Sequence, residues 1–227
     1  MRVAREMIIV SDMIGTVTTG WPVIGLAKWV RSNQSVLRAD FYRGRNLPGY
    51  LLAKWGLVDT QKQGQRLMLT ALRLIKNPSR RGLEEMGEWS VEYELWPKRR
   101  PDVIDRLTKH IKDGAQVYIA SSVYEPTVTA FAIRIGAYGI GTPLEIAGGA
   151  VRFAEHFVTE ELKVVKVLSK LGVDKVDTAY GDTWADIPLL ENADRAVAVY
   201  PDEVLKATAV ERGWEILGDR NARRART

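Results

Sequence analysis

Residues 7–17 of the chain read MIIVSDMIGTV, and this stretch decides the fold. Its apolar start is typical of a short buried β-strand, and Asp12 follows that strand. Residues 176–186 have the same form, because they read VDTAYGDTWAD and place Asp182 and Asp186 after another strand. Ligands of open parallel α/β sheets bind beyond the carboxyl ends of the strands. We therefore expect the two acidic motifs to meet at one edge of a sheet and to form one metal site.

From Pro101 onward the sequence alternates regularly between helical and strand patterns. Pro101 suits the first turn of a helix, and Gly114 suits its end. Helices are predicted over residues 102–112, 126–135 and 160–171, and strands over residues 116–120, 138–140, 144–146, 176–180 and 196–199. This alternation predicts a parallel sheet with right-handed crossovers. The expected fold class is α/β, with a Rossmann-like core made of residues 1–17 and 97–219.

Between the first strand and this core, residues 18–96 show helix-like spacing of apolar groups. Breaks are predicted at residues 46–49 and 77–79, where Pro and Asn cluster, so we expect four or five helices. This segment would form a helical cap domain inserted into the core. The last residues, 220–227, are rich in Arg and lack large apolar side chains, which predicts a basic disordered tail.

Composition limits the chemistry that the chain can perform. With 227 residues and 46% apolar content, the chain can bury a sizeable core. It has no cysteine and only two histidines, His110 and His156, so thiolate chemistry is excluded and any metal must rest mainly on oxygen ligands. The N-terminal apolar run is too short for a signal-peptide core, and no apolar stretch approaches the length of a membrane span. We expect a cytoplasmic protein of unknown oligomeric state.

The net charge of +5 is unevenly distributed. Residues 18–81 contain twelve Lys and Arg residues but only two acidic residues, Asp40 and Asp59. Such a basic field attracts anions, which include small phosphates, acidic lipids and nucleic acid, although a solvated helical face explains it equally well. No recognition motif supports specific nucleic-acid binding. Five of the seven tryptophans lie in residues 21–96, which indicates a small helical core or, less commonly, a lipid-facing surface.

Together the motifs resemble those of the haloacid dehalogenase superfamily, and most closely its phosphoserine-phosphatase-like branch. The segment GDTWADIPLL, residues 181–190, resembles the family's G-D-x-x-x-D motif and the helix that follows it. Residues 12–16 resemble the phosphatase motif D-x-D-G-T, except that Ile14 replaces the second aspartate. The family also places a helical cap between its first and second motifs. The resemblance implies a Mg²⁺-dependent phosphohydrolase acting on a small or lipid-like phosphorylated substrate.

The resemblance also implies a metal site. Asp12 would be the nucleophile, and Mg²⁺ would be held by Asp12, the backbone carbonyl of Ile14, Asp182 and water, with Asp186 as a further ligand. Oxygen ligands of this kind suit Mg²⁺. A divalent cation would offset the repulsion between a carboxylate nucleophile and a phosphate ester.

The remaining site residues follow from the same resemblance. Ser121, after the second core strand, would hold the phosphoryl group, assisted by the backbone N–H of Ser122 at the start of the next helix. Thr16 would also contact the substrate. Lys163 would balance the charge between nucleophile and phosphate, and Lys166, one helical turn later, is the alternative candidate.

Ile14 leaves three interpretations open, because family phosphatases use the aspartate at that position as general acid and base. The first is a phosphatase without its acid. The second is a weak or inactive member that binds a phosphorylated ligand or an anionic surface. The third is cleavage of a carbon–phosphorus bond, which would require a cap lysine that forms a Schiff base; the lysines available are Lys28, Lys54, Lys62 and Lys76. Halide displacement is less consistent with the sequence, because dehalogenases do not use the metal that Asp182 and Asp186 indicate.

Overall fold

A computed structural model of the chain describes residues 6–54, 60–155 and 160–220. Its core is a six-stranded sheet with the strand order β3-β2-β1-β6-β7-β8, and all neighbouring strands run parallel. The strands of this sheet are β1 (Ile8–Asp12), β2 (Gln116–Tyr124), β3 (Tyr138–Thr142), β6 (Val176–Gly181), β7 (Ala193–Val199) and β8 (Glu215–Leu217). A separate antiparallel hairpin consists of β4 (Leu144–Ala147) and β5 (Ala150–Phe153). The predicted α/β fold with a parallel sheet is confirmed.

Helices flank the sheet and connect its strands. They are α5 (Pro101–Lys112), α6 (Glu125–Arg134), α7 (Glu160–Leu171), α8 (Ile187–Glu191) and α9 (Glu203–Glu211). Buried apolar residues of α5 and α6 pack on one face of the sheet, and those of α7, α8 and α9 pack on the other. Both faces of the sheet are therefore covered, as parallel sheets require.

Strand β1 lies at the centre of the sheet, and its first three residues, Ile8 to Val10, are apolar. Ile9 and Val10 are completely buried, and each faces a different one of the two apolar clusters. The strand pairs with β2 on one side and with β6 on the other. From β1 the sheet continues through β2 and β3 on one side and then through β6, β7 and β8 on the other side. The strand order therefore reverses between β1 and β6. Such a switch point opens a crevice at the carboxyl ends of the two strands.

Between β1 and α5 the chain inserts a helical segment. Its α-helices are α1 (Pro22–Asn33), α2 (Val36–Lys54), α3 (Thr60–Leu72) and α4 (Arg80–Ser90), followed by a π-helical turn (Val91–Leu95) and a 3₁₀ turn (Trp96–Lys98). The break predicted at residues 77–79 is confirmed, and Ser79 caps α4 by accepting a hydrogen bond from the Gly82 N–H at 3.0 Å. Whether this segment is a separate cap domain bounded at residues 18 and 96 stays a prediction.

The break predicted at residues 46–49 is wrong, because α2 continues through Pro48. A proline removes the hydrogen bond to the carbonyl four residues earlier, here that of Gly44. Gly44 and Pro48 are both exposed, so water can bind the freed carbonyl. The helix tolerates the proline for this reason.

Two adjacent chain segments join the insertion to the core. The Thr19 N–H donates to the Lys98 carbonyl at 3.0 Å, and the Arg100 N–H donates to the Val17 carbonyl at 2.8 Å. Beside them the fully buried carboxylate of Glu94 pairs with Lys28 and Lys98. Burial alone would raise the pKa of Glu94, but the hydrogen bonds from the two lysines outweigh it and the pKa is lowered. The junction is thus held by both backbone and ionic contacts.

The remaining differences from the sequence expectations are extensions and additions. Strand β2 runs four residues beyond its predicted end, and β5, α9 and β8 were not predicted individually. Among the described residues, no helix has both the length and the apolar character needed to cross a membrane.

Candidate active site

Three carboxylates meet in the crevice at the switch point. Asp12 is the last residue of β1, Asp182 directly follows β6, and Asp186 ends the short 3₁₀ turn Trp184–Asp186. All three are buried, and each contributes an oxygen to a group whose members lie within 4.8 Å of one another. The structure thus brings together the side chains of both acidic motifs. We refer to these residues as the acidic triad.

A sharp turn after β1 brings the first motif against the second. Gly15 has a φ of +94°, and its N–H donates to the Thr18 carbonyl at 2.7 Å. A Cβ at this position would lie 2.0 Å from Oδ2 of Asp182, so any side chain would collide with the triad. Arg100 fixes the turn from outside, because its Nε donates to the Gly15 carbonyl at 2.7 Å.

Thr16 links the two motifs directly. Its hydroxyl lies 3.4 Å from Oδ2 of Asp12 and 3.2 Å from Oδ1 of Asp182, so it can donate to either carboxylate. The side chain is fully buried. This position favours an orienting role for Thr16, whereas its predicted contact with substrate stays a prediction.

The backbone of its own loop holds Asp186 in place. Oδ2 of Asp186 accepts hydrogen bonds from the N–H groups of Asp182 at 3.0 Å and Thr183 at 3.2 Å. The Thr183 hydroxyl lies 3.4 Å from the same oxygen, and its oxygen accepts from the Asp186 N–H, so the two residues form a capping box. Gly181 permits this packing, since a Cβ there would lie 2.4 Å from the Cβ of Asp186.

The triad concentrates negative charge in a buried space. Burial, together with the nearby charges of Asp186 and Asp12, raises the pKa of Asp182 well above its usual value. Arg220 and the Thr16 hydroxyl oppose this rise in pKa but do not cancel it. A divalent cation would relieve the repulsion among the three carboxylates, and carboxylate oxygens are the ligands that Mg²⁺ prefers. The residues present therefore fit the implied metal.

Arg220 contacts the triad, although we predicted that the segment beginning at this residue is disordered. Its Nη2 donates to Oδ2 of Asp182 at 2.6 Å and to the Asp182 carbonyl at 3.2 Å, and its Nε donates to the Tyr200 carbonyl at 2.9 Å. The sequence did not predict this contact, because the only signal in residues 220–227 is their Arg-rich composition, which does not indicate a partner. Residues 221–227 of that segment lie outside the described residues.

Asp202 is a second residue that the sequence analysis missed. Its N–H donates to the Asp182 carbonyl at 3.0 Å, and its Oδ2 accepts from the Trp184 N–H at 2.9 Å. Its Oδ1 accepts from the Leu205 N–H at 2.8 Å and caps α9. An Asp followed by Glu203 and apolar residues is a recognisable start of a helix, so the cap was detectable from sequence, but its contact with the second motif was not.

Ser121 and Ser122 lie within β2 and not after it. The register pairs Asp12 with Ala120, so Ser121 is the next residue toward the crevice, and its side chain is buried. The pairing of β2 with β3 shifts between Ala120 and Tyr124, which indicates a bulge at the two serines. The Ser122 N–H does not lie at the start of the next helix as expected, because α6 starts three residues later, at Glu125; its predicted assistance to the phosphoryl group stays a prediction. Strand β2 continues past both serines to Tyr124.

The structure distinguishes the two candidate lysines only in part. Lys163 belongs to α7, but its side chain lies outside the described part of the structure. Lys166 forms an ion pair with Glu155. That pairing engages the ammonium group of Lys166, and the role predicted for Lys163 stays a prediction.

Ile14 is half-buried and packs against the apolar cluster that contains Met13 and Val17. An alkyl side chain at this position has no proton to give or accept. Arg220 brings a positive charge to the triad through its contact with Asp182.

The chain is similar to known proteins over the region that contains both acidic motifs. The family model described as haloacid dehalogenase-like hydrolase matches residues 9–191. A provisionally named hydrolase of Mycobacterium leprae is 29% identical over 215 residues, which cover 86% of this chain and 69% of the relative. A phosphoserine phosphatase of Mycobacterium tuberculosis is 33% identical over 152 residues, which cover 63% of this chain. The match covers only 47% of that relative, so the chain spans about half of its length.

Solved structures share the fold at low sequence identity. A protein of unknown function from Bordetella pertussis superposes with a TM-score of 0.72 at 20% identity, covering 94% of this chain and 98% of the other. A substrate-bound phosphoserine phosphatase superposes with a TM-score of 0.59 at 16% identity, covering 97% and 96% of the two chains. At such identities the likeness concerns the fold alone.

Proposed function

The chain belongs to the haloacid dehalogenase-like hydrolase family, and from this premise we propose that it is a Mg²⁺-dependent phosphatase with Asp12 as its nucleophile. The observation that supports the proposal most strongly is the buried acidic triad at the switch point of a parallel sheet. Its three members come from two separate motifs that meet only in the folded chain. Mg²⁺ would be held by Asp12, Asp182, Asp186 and the carbonyl of Ile14.

When bound, Mg²⁺ supplies positive charge that lets one anion approach another. The protein provides the reacting group and its orientation. A carboxylate oxygen of Asp12 attacks phosphorus and forms an aspartyl phosphate, while the bond between phosphorus and the ester oxygen breaks and that oxygen departs as an alkoxide, which takes a proton from solvent. Water then attacks phosphorus and loses a proton to solvent, the bond between phosphorus and the Asp12 oxygen breaks, and inorganic phosphate and the Asp12 carboxylate are released. Thr16 and the Gly15 turn hold Asp12 and Asp182 in register during both steps.

Ile14 limits which esters react quickly. The departing alkoxide needs a proton, and the second step needs a base that accepts a proton from water. General acid or base assistance is worth roughly 10²- to 10⁴-fold in rate. We therefore propose fast cleavage only where the leaving group is stable as an anion or carries its own proton donor.

The proposed substrate is a small or lipid-like phosphomonoester. The relative named phosphoserine phosphatase supports the reaction class, and the family relationship supports hydrolysis. The helical insertion follows directly on the Asp12 turn and would cover the crevice. Its basic side chains would attract a phosphorylated substrate.

A second candidate is a binding protein for a phosphorylated ligand, and Ile14 is the observation that favours it. The carbon–phosphorus cleavage considered above has less support. Schiff-base formation needs a neutral amine, and the ammonium of Lys28 is paired with the buried Glu94 at 2.5 Å. The side chains of Lys54 and Lys62 lie outside the described residues.

Hydrolysis of p-nitrophenyl phosphate tests the proposal, because p-nitrophenolate leaves without a proton. The wild-type protein should release p-nitrophenol in the presence of Mg²⁺ and not in excess EDTA. Asp12→Asn should abolish release, whereas Asp105→Asn, at an exposed position on α5, should leave it unchanged. Retained activity in Asp12→Asn would reject the nucleophile. Absent activity in a wild-type protein that binds Mg²⁺ would favour the binding protein.

A further inference from the structure

A groove on the helical insertion shares none of its lining residues with the acidic triad. It lies between α2 and α3 and has a volume of about 370 Å³. The Tyr42 hydroxyl donates to the Leu67 carbonyl at 2.8 Å, which fixes the two helices to each other. We call this feature the α2–α3 groove. Its lining includes the basic and exposed apolar residues Leu37, Arg38, Phe41, Arg45, Arg66 and Arg73.

The groove is strongly basic. Among the residues that the structure describes, four arginines line it and no acidic residue does. Arg38 is used internally, because its guanidinium donates to the carbonyls of Leu74 at 2.7 Å and Arg73 at 3.0 Å, beyond the end of α3. The guanidinium groups of Arg45, Arg66 and Arg73 form no ion pair within the described part of the chain. These three charges are available to an external anion.

The acid nearest in sequence does not neutralise these arginines. Asp40, which lies on α2, pairs with Arg31 of α1 at 3.6 Å. The described residues of the groove therefore carry a net positive charge, which complements a negatively charged partner.

Large apolar side chains project beside the same arginines. Leu37 is 83% exposed and Phe41 is 71% exposed, and they lie one helical turn apart on α2. A small phosphate would use the arginines but would leave both apolar side chains in water. Apolar side chains that project among arginines on a helix are typical of segments that bind at a membrane surface.

We propose that the α2–α3 groove docks the protein on an anionic phospholipid surface. Arg45, Arg66 and Arg73 bind lipid phosphates, and Leu37 and Phe41 enter the boundary between headgroups and acyl chains. Nucleic acid would also neutralise the arginines, but it offers no apolar layer for Leu37. The proposal is independent of the proposed hydrolysis, because no lining residue takes part in that reaction.

Vesicle sedimentation with the full chain tests the proposal. We expect binding to vesicles of phosphatidylcholine mixed with phosphatidylglycerol, weaker binding at high salt, and no binding to pure phosphatidylcholine. The triple variant Arg45→Gln, Arg66→Gln, Arg73→Gln should bind on the order of a hundredfold more weakly, since three charges are lost. The double variant Leu37→Ser, Phe41→Ser should bind at least about tenfold more weakly.

The controls use exposed residues outside the groove. Arg80→Gln with Arg81→Gln removes two exposed charges from α4, and Ile133→Ser removes a side chain on α6 that is 68% exposed. Both controls should bind anionic vesicles like the wild type. Circular dichroism spectra would establish that each variant is folded.

The absence of cysteine allows a direct readout of insertion. Phe41→Cys, labelled with a polarity-sensitive dye, should show a blue-shifted emission on anionic vesicles, whereas labelled Ile133→Cys should show no shift. A dye at position 41 that stays in water while the protein sediments would overturn the proposal. So would failure of the wild type to bind anionic vesicles, or tighter binding to duplex DNA that the Leu37→Ser, Phe41→Ser variant retains.

Discussion

At the scale of single residues, Ile14 has the largest consequence for the proposed chemistry. It stands two residues after Asp12, where a carboxyl group would protonate the departing oxygen. We predict that Ile14→Asp raises kcat for an alkyl phosphate such as phosphoserine by roughly 10²- to 10⁴-fold, measured by phosphate release. Ile14→Asn supplies a polar side chain that cannot exchange the proton, so it serves as the control. Equal rates in both variants would show that the missing acid does not limit the reaction.

Gly15 gives a second prediction, because a side chain there would displace Asp182. Gly15→Ala should lower the free energy of unfolding for two reasons. An alanine at positive φ costs about 1–2 kcal/mol, and the collision with Asp182 should cost about 1–3 kcal/mol more. Gly114→Ala is the matched control, since Gly114 has a φ of +89° and open space around its Cβ position. Urea unfolding measures the stability and isothermal titration calorimetry measures Mg²⁺ affinity. Equal stability losses with unchanged Mg²⁺ affinity would contradict the account of this turn.

The residues that the sequence predicted best are those that end strands. Asp12 and Asp182 follow apolar runs, and parallel strands end at one edge of a sheet, so their meeting followed from topology. Arg220 was not predictable, because its contact with Asp182 joins positions that no periodicity relates. The position of Ser122 was wrong because a bulge in a strand leaves no clear trace in the apolar pattern.

At the scale of elements, α9 supports the second acidic motif through its cap, Asp202. We predict that Asp202→Ala costs about 1 kcal/mol of stability through the lost cap and also weakens Mg²⁺ binding, since the Trp184 N–H loses its acceptor. Ser79→Ala removes a comparable cap from α4 and should cost similar stability with no change in Mg²⁺ affinity. Calorimetric titration of both variants measures the difference. Unchanged affinity in Asp202→Ala would show that the cap does not position the motif.

Elements with strong periodicity were predicted closely, and weaker ones were not. α5 was expected over residues 102–112 and spans Pro101–Lys112, and α7 was expected over residues 160–171 and spans Glu160–Leu171. β8 has three residues and no strongly apolar pattern, so its strand character depends on pairing with β7. Pro48 predicted a helix break that does not occur, because Pro48 and Gly44 are exposed and water can bind the carbonyl that the proline leaves free.

At the scale of the whole molecule, the crowded triad should make stability depend on pH and on Mg²⁺. The pKa of Asp182 is raised in the folded protein above the ordinary value of 3.8. Above pH 3.8 the folded state of the metal-free protein therefore binds more protons than the unfolded state. The contribution of Asp182 protonation to stability is therefore complete below pH 3.8 and is lost as the pH rises through the raised pKa of Asp182.

Thermal unfolding across pH, in EDTA and in Mg²⁺, measures this effect. Subtracting the profile of Asp182→Asn isolates Asp182 from other groups, since Glu94 and Glu215 have lowered pKa values and act with the opposite sign. At neutral pH, Mg²⁺ at 100 times the wild-type Kd should raise the free energy of unfolding of the wild type by about 2.7 kcal/mol. The same Mg²⁺ concentration should stabilise Asp182→Asn much less. A difference profile that rises with pH would contradict the charge account of the triad.

The central claim is that Asp12 becomes phosphorylated in a site that lacks its acid and base. The most direct measurement is a rapid-mixing time course of p-nitrophenol release from p-nitrophenyl phosphate with Mg²⁺, combined with borohydride reduction of the aspartyl phosphate. Because phosphorylation needs no acid for this substrate but water attack lacks a base, we predict a burst approaching about one equivalent per chain, followed by slow turnover. Reduction should then convert Asp12 to homoserine. Turnover that is linear from the start, with no modified Asp12 during catalysis, would contradict the claim.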